Sequence, residues 1–317
     1  MLITVLFVLG FVALIKGAGL LVDGSASVAK KLKISNIVIG LTIVSFGTSA
    51  PELLVNLFAT GSGETELAIA NVFGSNISNV LLILGVSALI YPLAIKKNTV
   101  WKEIPFSLLA ALLVGVLAND LLIDKMEISV LSRIDGLVLF VLFIIFIYYT
   151  FGIAKIGGKD KNNIKEFSTL KSIIFIVIGL VGLTLGGKWI INGAIHFAEL
   201  LGLSKTLVGL TIVAIGTSLP ELATSAVAAY KKNAEIAIGN IVGSNIFNLL
   251  WVLGISATVA PLAFQTNSNV DLGMVILSSF LLFIFIFIGK RRTLERWQGA
   301  IFILTYISYI TFAVIRG

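Results

Sequence analysis

The sequence lacks cysteine, has one histidine, and is poor in charged residues. Charged residues make up 12% of its 317 positions, about half the share usual in soluble domains. Without cysteine there can be no disulfide framework, no thiolate metal site and no thiol redox chemistry. The hydrophobic share is 58% and the mean hydropathy is +1.07. This composition excludes an ordinary soluble domain and indicates a polytopic membrane protein.

The formal charge of +7 raises the question of nucleic-acid binding. Its basic residues, however, are dispersed among the segments between apolar runs and are not gathered on one domain. Membrane topology explains them better, so we expect a lipid bilayer as the surroundings and no nucleic acid as a partner. No cofactor and no obligate protein partner is indicated.

Apolar runs long enough to cross a bilayer as helices recur along the whole chain. The first run lacks the basic start of a signal peptide and continues past Lys16, so it is read as a long span. Ten spans are predicted, at about 2–29, 36–60, 67–91, 103–119, 134–154, 171–195, 206–229, 236–260, 271–289 and 298–315.

Two pairs of similar segments reveal an internal repeat. The stretch "GLTIVSFGTSAPEL" (40–53) returns as "GLTIVAIGTSLPEL" (209–222). At the same offset, "ANVFGSNISNVLLILGVSA" (70–88) returns as "GNIVGSNIFNLLWVLGISA" (239–257). Each half holds five predicted spans, and an odd number starts the second copy on the opposite side of the membrane. We therefore predict an all-α membrane protein of ten transmembrane helices, built from two inverted-topology five-helix repeats (1–154 and 171–317) joined by a linker (155–170).

Loop charge gives an independent prediction of the topology. Most basic residues lie in five segments, which are 30–33, 96–102, 155–171, 231–232 and 290–296. The alternate loops are acidic or nearly neutral. Because cytoplasmic loops collect Lys and Arg, the five segments are predicted to face the cytoplasm of a cell whose plasma membrane the chain crosses. Both termini are then extracellular, and the 155–170 linker is cytoplasmic.

The first repeated motif places a carboxylate inside an apolar span. Such burial costs about 2.5 to 3.5 kcal/mol on insertion scales, so intramembrane acids usually mark ion paths. A proline before each acid should loosen the helix around Gly47 and free backbone oxygens near residues 45 to 47. Helical spacing puts hydroxyls on the same face as each acid. The residues concerned are Thr48, Ser49, Pro51 and Glu52, then Thr217, Ser218, Pro220 and Glu221.

The second motif adds neutral oxygen donors. Ser75 and Asn79 are one helical turn apart, as are Ser244 and Asn248. Carboxylates, amides, hydroxyls and freed carbonyls together form a ligand set for a hard cation, which suits calcium and sodium. Hydrogen bonding between helices is the alternative role of these four residues. Asn76 and Asn245 could equally support the site or pack against backbone.

Charge arithmetic favours exchange over leak. Two ionised glutamates in a buried site are compensated by one divalent cation or by two or more monovalent ones. Leaving the pair empty would be costly, because each carboxylate would lose its hydration without gaining a counter-ion. Inverted repeats around a midplane site are also a common basis of alternating access.

At these motifs the chain resembles the cation/calcium exchanger superfamily, specifically its sodium/calcium exchanger branch, over nearly its whole length. The resemblance implies antiport of sodium for calcium, with the first and sixth spans sliding past a static core. By position it implies that Glu52 and Glu221 are shared calcium and sodium ligands. It adds Thr48, Ser49, Thr217, Ser218, Ser75, Asn79, Ser244 and Asn248 as further ligands, with backbone carbonyls at Ser45 and Ala214 for sodium.

Other functions remain open at this point. Proton/calcium exchange is the nearest alternative, although the G-T-S-x-P-E motif favours the sodium branch. Manganese or magnesium could be the physiological divalent ion. Paired carboxylates could serve a membrane enzyme or line a cation channel, but no nucleophile motif is present and inverted copies favour a transporter. Asn248, where potassium-dependent relatives have Asp, argues against potassium coupling.

Overall fold

The computed structural model describes residues 2–123, 125–154, 166–200 and 214–316. The helices of the first part of the chain are α1 (Leu2–Leu32), α2 (Asn36–Thr48), α3 (Ala50–Gly61), α4 (Thr65–Ile90), α5 (Lys97–Leu117), α6 (Asp120–Ile123) and α7 (Arg133–Ala154). Those of the second part are α8 (Thr169–Leu200), α9 (Ala214–Thr217), α10 (Leu219–Tyr230), α11 (Ala234–Val259), α12 (Ser268–Phe285) and α13 (Arg296–Arg316). Four short strands complete the fold: β1 (Leu93–Ala94), β2 (Ser129–Leu131), β3 (Leu262–Phe264) and β4 (Thr293–Leu294).

The helices confirm a multi-span membrane protein. In the described part of the chain, 8 helices are long and apolar enough to cross a membrane, or 9 if the bent pair α2 and α3 counts as one span. The predicted span at 206–229 falls partly on residues 201–213, outside the described ranges, and most of the predicted linker does too.

Two helices form the centre of the bundle. In their most apolar windows, α11 is 94% buried and α4 is 72% buried, whereas α7 and α13 are each 22% buried. The outer helices therefore present Leu, Ile, Val and Phe side chains outward, as a lipid-facing surface requires. The two central helices carry the two copies of the second motif, so this motif lies in the interior.

The inter-helix segments gather at two opposite ends of the bundle. At one end Lys96 pairs with Glu235 at 2.8 Å, β1 pairs antiparallel with β4, and Lys31 donates to Thr169. We call this the basic end. At the other end β2 pairs antiparallel with β3, and Asp271 pairs with Arg316 at 3.0 Å. We call this the acidic end. The grouping agrees with the alternation of loop charge along the sequence.

The strands were not predicted from the sequence, which reads as all-helical. Each ribbon pairs only two or three residues, and each buries apolar side chains of loop segments at an end of the bundle. Pairing satisfies the backbone groups of these partly buried segments. Both ribbons join a segment before residue 154 to one after residue 171.

Helices α1 and α8 pack on each other backbone to backbone. A Cβ added at Gly17 would lie 2.8 Å from the Gly179 carbonyl oxygen, and one at Gly186 would lie 2.8 Å from the Gly10 carbonyl oxygen. Only glycine allows helix axes to approach this closely. The two helices consequently form a tight pair that lies along one side of the rest of the bundle.

Candidate ion-binding site

Both copies of the first motif lie where a helix is interrupted. Ser49 has φ −85° and ψ 1°, and Ser218 has φ −85° and ψ 3°. The bend between α2 and α3 at Ser49 is 42°. Pro51 and Pro220 stand in the first turn of the next helix, where the missing amide hydrogen costs nothing.

The position of the break corrects the sequence expectation. The helix was expected to loosen around Gly47, but the interruption is at Ser49, because proline starts a new helix here instead of distorting an existing one. The Ser45 carbonyl, expected to be free, accepts from the Ser49 amide at 2.9 Å and from the Thr48 hydroxyl at 3.4 Å. A wider π-helical turn at Gly40–Val44 precedes it.

A glycine crossing brings the first motif onto the central helix α11. A Cβ added at Gly40 would lie 3.0 Å from the Gly239 Cα, so the two backbones are in direct contact. Beside this crossing the Ser45 hydroxyl lies 2.7 Å from the Gly40 carbonyl oxygen and 2.9 Å from that of Asn240. The crossing thereby positions Thr48 and Glu52 against the second half of the chain.

The two predicted acids are buried together. Glu52 is 0% exposed and Glu221 is 1% exposed, and the two carboxylates are close enough to repel each other when both are charged. Ser49 donates to Glu221 Oε1 at 3.4 Å, and the Thr48 and Ser244 hydroxyls also approach this carboxylate. Within the described residues neither oxygen of Glu52 has a hydrogen-bond partner. A buried carboxylate with open lone pairs is suited to a cation.

The other predicted hydroxyls and amides are buried as well, and several of them bond one another or a neighbouring asparagine. Ser218 donates to Ser75 at 3.4 Å, and the Asn79 amide donates to Asn245 Oδ1 at 3.0 Å. The Asn248 amide is buried and has no hydrogen-bond partner among the described residues. Eleven of the twelve predicted ligands are thus buried, while Ala214 begins helix α9 directly after an undescribed segment.

The two copies of the first motif are packed differently. Thr48 lies 3.0 Å from Asn240 and 3.4 Å from Ser244 of the other half, whereas Thr217 lies 3.5 Å from Asn71. A cavity of about 180 Å³ borders the second copy, where Thr217 lines it. Its remaining lining includes both motif prolines and residues of α8 toward the acidic end, among them Thr184, Lys188 and Asn192.

Sequence reasoning missed two asparagines that contact the site threonines. Asn240 accepts from Thr48, and Asn71 accepts from Thr217. A signal existed, because the two occupy equivalent positions inside the second repeated stretch, within "ANVFGSN" and "GNIVGSN". Their distance from Glu52 and Glu221 along the chain concealed the contact, which depends on how the two halves pack.

The donor set fits a transported cation better than a structural transition metal. Among the described residues there is no group of three or more His, Cys, Asp and Glu that could hold a metal. The carboxylates supply two negative charges, and all other donors are neutral oxygens. Calcium accepts six to eight such oxygens in flexible geometry, and sodium shares the preference for oxygen.

Comparison with known proteins decides the family. The family model described as sodium/calcium exchanger protein matches residues 2–152 and 171–315, which is nearly the whole chain. This chain belongs to the sodium/calcium exchanger family. The two matched segments leave out the region that the sequence predicted to be a linker.

Individual relatives are similar to this exchanger over nearly its whole length. The sodium/calcium exchanger MaX1 of Methanosarcina acetivorans is 32% identical, with 96% of each chain covered. The inner membrane protein YrbG of Escherichia coli is also 32% identical, with 96% of this chain and 94% of that protein covered. A solved structure of the sodium-calcium exchanger NCX_Mj, soaked with Na⁺ and Ca²⁺, matches at a TM-score of 0.85 and 34% identity, with 98% of each chain covered. The exchanger is thus a membrane transporter and not an enzyme.

Proposed function

We propose that this exchanger is a secondary active antiporter that moves sodium against calcium by alternating access at the site between Glu52 and Glu221. The observation that carries the proposal is the burial of these two carboxylates, one from each half, among neutral oxygen donors. MaX1 and NCX_Mj, which are named as sodium/calcium exchangers, support the choice of ions.

The proposed ligands follow the sequence prediction. Glu52 and Glu221 neutralise the cations, and their shared negative charge requires either one calcium or at least two sodium ions. The hydroxyls and amides complete the coordination shell: Thr48, Ser49, Ser75, Asn79, Thr217, Ser218, Ser244 and Asn248. The carbonyls of Ser45 and Ala214 are proposed to bind sodium, which for Ser45 requires that the Thr48 hydroxyl turn away from its carbonyl oxygen.

The proposed membrane arrangement has ten spans in two inverted five-helix repeats, residues 1–154 and 171–317, joined by the linker 155–170. The basic end then faces the cytoplasm, and both termini lie outside the plasma membrane. Equivalent helices support the repeat, because Ala50–Gly61 corresponds to Leu219–Tyr230 and Thr65–Ile77 corresponds to Ala234–Ile246 at one constant offset.

In this arrangement the cavity beside Thr217 opens toward the outside, since its α8 lining lies toward the acidic end. At the basic end the Lys231 ammonium contacts Asp23 at 2.6 Å and the Gly19 carbonyl oxygen at 2.9 Å, and we propose that this contact helps to close the path there. The proposed state of the molecule is therefore outward-accessible. Sliding of the paired α1 and α8 helices would exchange the open and closed sides.

The test is calcium uptake into liposomes that contain the purified exchanger. Sodium-loaded vesicles are diluted into sodium-free buffer with radioactive calcium, and potassium-loaded vesicles and vesicles with an imposed pH gradient serve as comparisons. Uptake that requires the sodium gradient supports the proposal. Uptake driven by the pH gradient alone would replace sodium with protons as the coupling ion, and calcium flux without any counter-ion would indicate a channel.

A further inference from the structure

We propose that Asn71 and Asn240 are positioning residues that orient the hydroxyl groups of Thr217 and Thr48 so that these hydroxyls can bind a cation. The inference rests on the proposed function, in which both threonines are ligands. Each asparagine belongs to the opposite half from the threonine it contacts, so both hydrogen bonds cross the interface between the two repeats.

A hydroxyl group that binds a cation must turn its proton away and present its lone pairs. In an apolar interior this requires a hydrogen-bond acceptor behind the hydroxyl. The Oδ1 atom of Asn240 lies 3.0 Å from Thr48 Oγ1, and the Oδ1 atom of Asn71 lies 3.5 Å from Thr217 Oγ1. Each asparagine is such an acceptor only if its amide points the right way round.

The amide of Asn240 has only one favourable orientation. Its Nδ2 atom lies 3.4 Å from the backbone carbonyl oxygen of Glu221 and 3.0 Å from Ser225 Oγ. A carbonyl oxygen can only accept, so the NH₂ group must face Glu221, and Oδ1 must then face Thr48. The Ser225 hydroxyl in turn donates to the Ala237 carbonyl oxygen at 3.5 Å.

The amide of Asn71 is oriented in the same way, by a longer series of hydrogen bonds. Its Nδ2 atom donates to Asn56 Oδ1 at 2.7 Å, and the Asn56 Nδ2 atom donates to the Ala68 carbonyl oxygen at 3.0 Å. Ala68 fixes the direction of the Asn56 amide, which fixes that of Asn71 and leaves Oδ1 toward Thr217. Ala68 and Ala237 are equivalent in the two repeats, so both chains begin at the same kind of acceptor.

These two series of hydrogen bonds differ from simple packing because each has a fixed donor-to-acceptor direction. Each begins at a backbone carbonyl oxygen that can only accept and ends at a threonine hydroxyl whose proton is drawn away from the carboxylates. Without Asn240, the acceptors left to the Thr48 hydroxyl are Glu221, Ser244 and the more distant Ser45 carbonyl oxygen at 3.4 Å, and a proton turned toward Glu221 or Ser244 would oppose an incoming cation. Loss of the asparagine should weaken cation affinity without changing the ligand atoms.

The test compares Thr48→Val, Asn240→Leu and the double variant of the purified exchanger. Two quantities are measured: the calcium concentration for half-maximal uptake into sodium-loaded liposomes, and calcium binding in detergent by calorimetry. We expect each single variant to weaken calcium affinity roughly three- to tenfold, the size of one hydrogen bond. The double variant should be no weaker than Thr48→Val, because Asn240 acts through that hydroxyl.

Other results would overturn the inference in distinguishable ways. Normal affinity in Asn240→Leu with weakened affinity in Thr48→Val would refute the positioning role and leave Thr48 as a ligand. Multiplied effects in the double variant would show that Asn240 acts independently of Thr48. Normal affinity in Thr48→Val would remove the ligand assignment itself, and the inference with it.

A second set of variants keeps the test decisive if Asn240→Leu does not fold. Asn56→Leu removes the residue that orients the amide of Asn71. Asn56→Ser introduces the residue type that Ser225 supplies at the equivalent position beside Asn240. We expect Asn56→Leu to weaken calcium affinity and Asn56→Ser to recover most of the loss. Equal weakening in both would contradict the relay. Asn119→Leu is the matched control, because Asn119 is a buried asparagine that bonds Gly115 and Asn269 outside the site.

Discussion

The two copies of the first motif have nearly the same sequence and different surroundings. Thr48 of the first copy is held at 3.0 Å by Asn240 and lies against α11. Thr217 of the second copy is 3.5 Å from Asn71 and borders a cavity of about 180 Å³. The same contrast recurs in the second motif, where Asn79 bonds Asn245 but the equivalent amides of Asn248 and Asn76 have no hydrogen-bond partner within the described residues.

The origin of this difference lies in the helices outside the motifs. Helix α1 is held against the end of α10 by the contacts of Lys231 with Asp23 and Gly19. The equivalent side of α8 leaves a cavity beside Pro51 and Pro220. Two halves of similar composition therefore take different packings in one molecule, which is the situation that alternating access requires. The contact of Lys231 with Asp23 has no equivalent in the other half, where Ser62 and Asn192 occupy these positions.

The largest expected effect comes from removing either charge that the two halves share. Glu52→Gln and Glu221→Gln should each reduce calcium uptake into sodium-loaded liposomes by more than about a hundredfold, because one remaining carboxylate cannot compensate a buried divalent ion. Glu64→Gln, on an exposed loop, is the control for loss of one acid. Wild-type calcium uptake by either folded site variant would show that the acid concerned is not required for transport.

The next effect concerns the α1 and α8 pair and is measured as stability. Gly186→Val should lower the free energy of unfolding by about 1 to 3 kcal/mol, because its Cβ would meet the Gly10 carbonyl oxygen at 2.8 Å. Gly187→Val is matched for helix propensity, and a Cβ at Gly187 meets no atom within 4 Å. Thermal unfolding followed by tryptophan fluorescence in detergent compares the two, and equal midpoints would contradict the tight packing.

A smaller effect on calcium affinity should distinguish the amide pair Asn79 and Asn245, which is hydrogen-bonded, from the equivalent pair Asn248 and Asn76, which has no such bond in the described part of the chain. Asn245→Leu removes the partner of Asn79 and should weaken calcium binding from outside roughly threefold to fivefold. Asn76→Leu removes an amide that makes no such bond here and should weaken it less. Half-maximal calcium concentrations for uptake give both values. The reverse order would mean that the described contact does not support the site.

The smallest expected effect comes from the Lys231–Asp23 contact, which is proposed to close the basic end in an outward-accessible state. Lys231→Gln should shift the population away from the outward-accessible state by about twofold to fivefold, since both partners of this ion pair are partly exposed. The chain has no cysteine, so Thr184→Cys introduces a single thiol into the cavity lining. Its labelling by an impermeant maleimide applied from outside should slow in the Lys231→Gln background. Lys232→Gln, which removes the same charge from the same loop, should leave labelling faster than Lys231→Gln does.

The sequence predicted buried acids with hydroxyls beside them because burial of a carboxylate in an apolar span has few explanations, and the role of these residues as ligands stays a prediction. Glu52, Glu221 and the neighbouring hydroxyls follow from the motifs, and the structure brings these residues together. The break at Ser49 was misplaced by two residues because a proline can either distort a helix or begin one. Only the packing of the neighbouring helix decides between these outcomes.

Two features could not be predicted from the sequence for a physical reason. The contact of Asn240 with Thr48 depends on the glycine crossing of Gly40 and Gly239, which is a property of two distant segments, and the contact of Asn71 with Thr217 also joins residues far apart in the chain. The unequal packing of the two halves is invisible in principle, because nearly identical motifs give identical local preferences. Pairwise similarity between the repeats therefore predicts the equivalence of residues and not their simultaneous conformations.

The two short ribbons have a consequence for biosynthesis. The strand Leu93–Ala94 pairs with Thr293–Leu294, and Ser129–Leu131 pairs with Leu262–Phe264. During translation the first half leaves the ribosome with both strands unpaired. Leu93 and Leu131, buried in the finished fold, pair with Leu294 and Leu262, which are 201 and 131 residues further along the chain. The first half therefore enters the membrane before its fold is complete. Its last backbone hydrogen bonds form only when nearly all of the chain has been made.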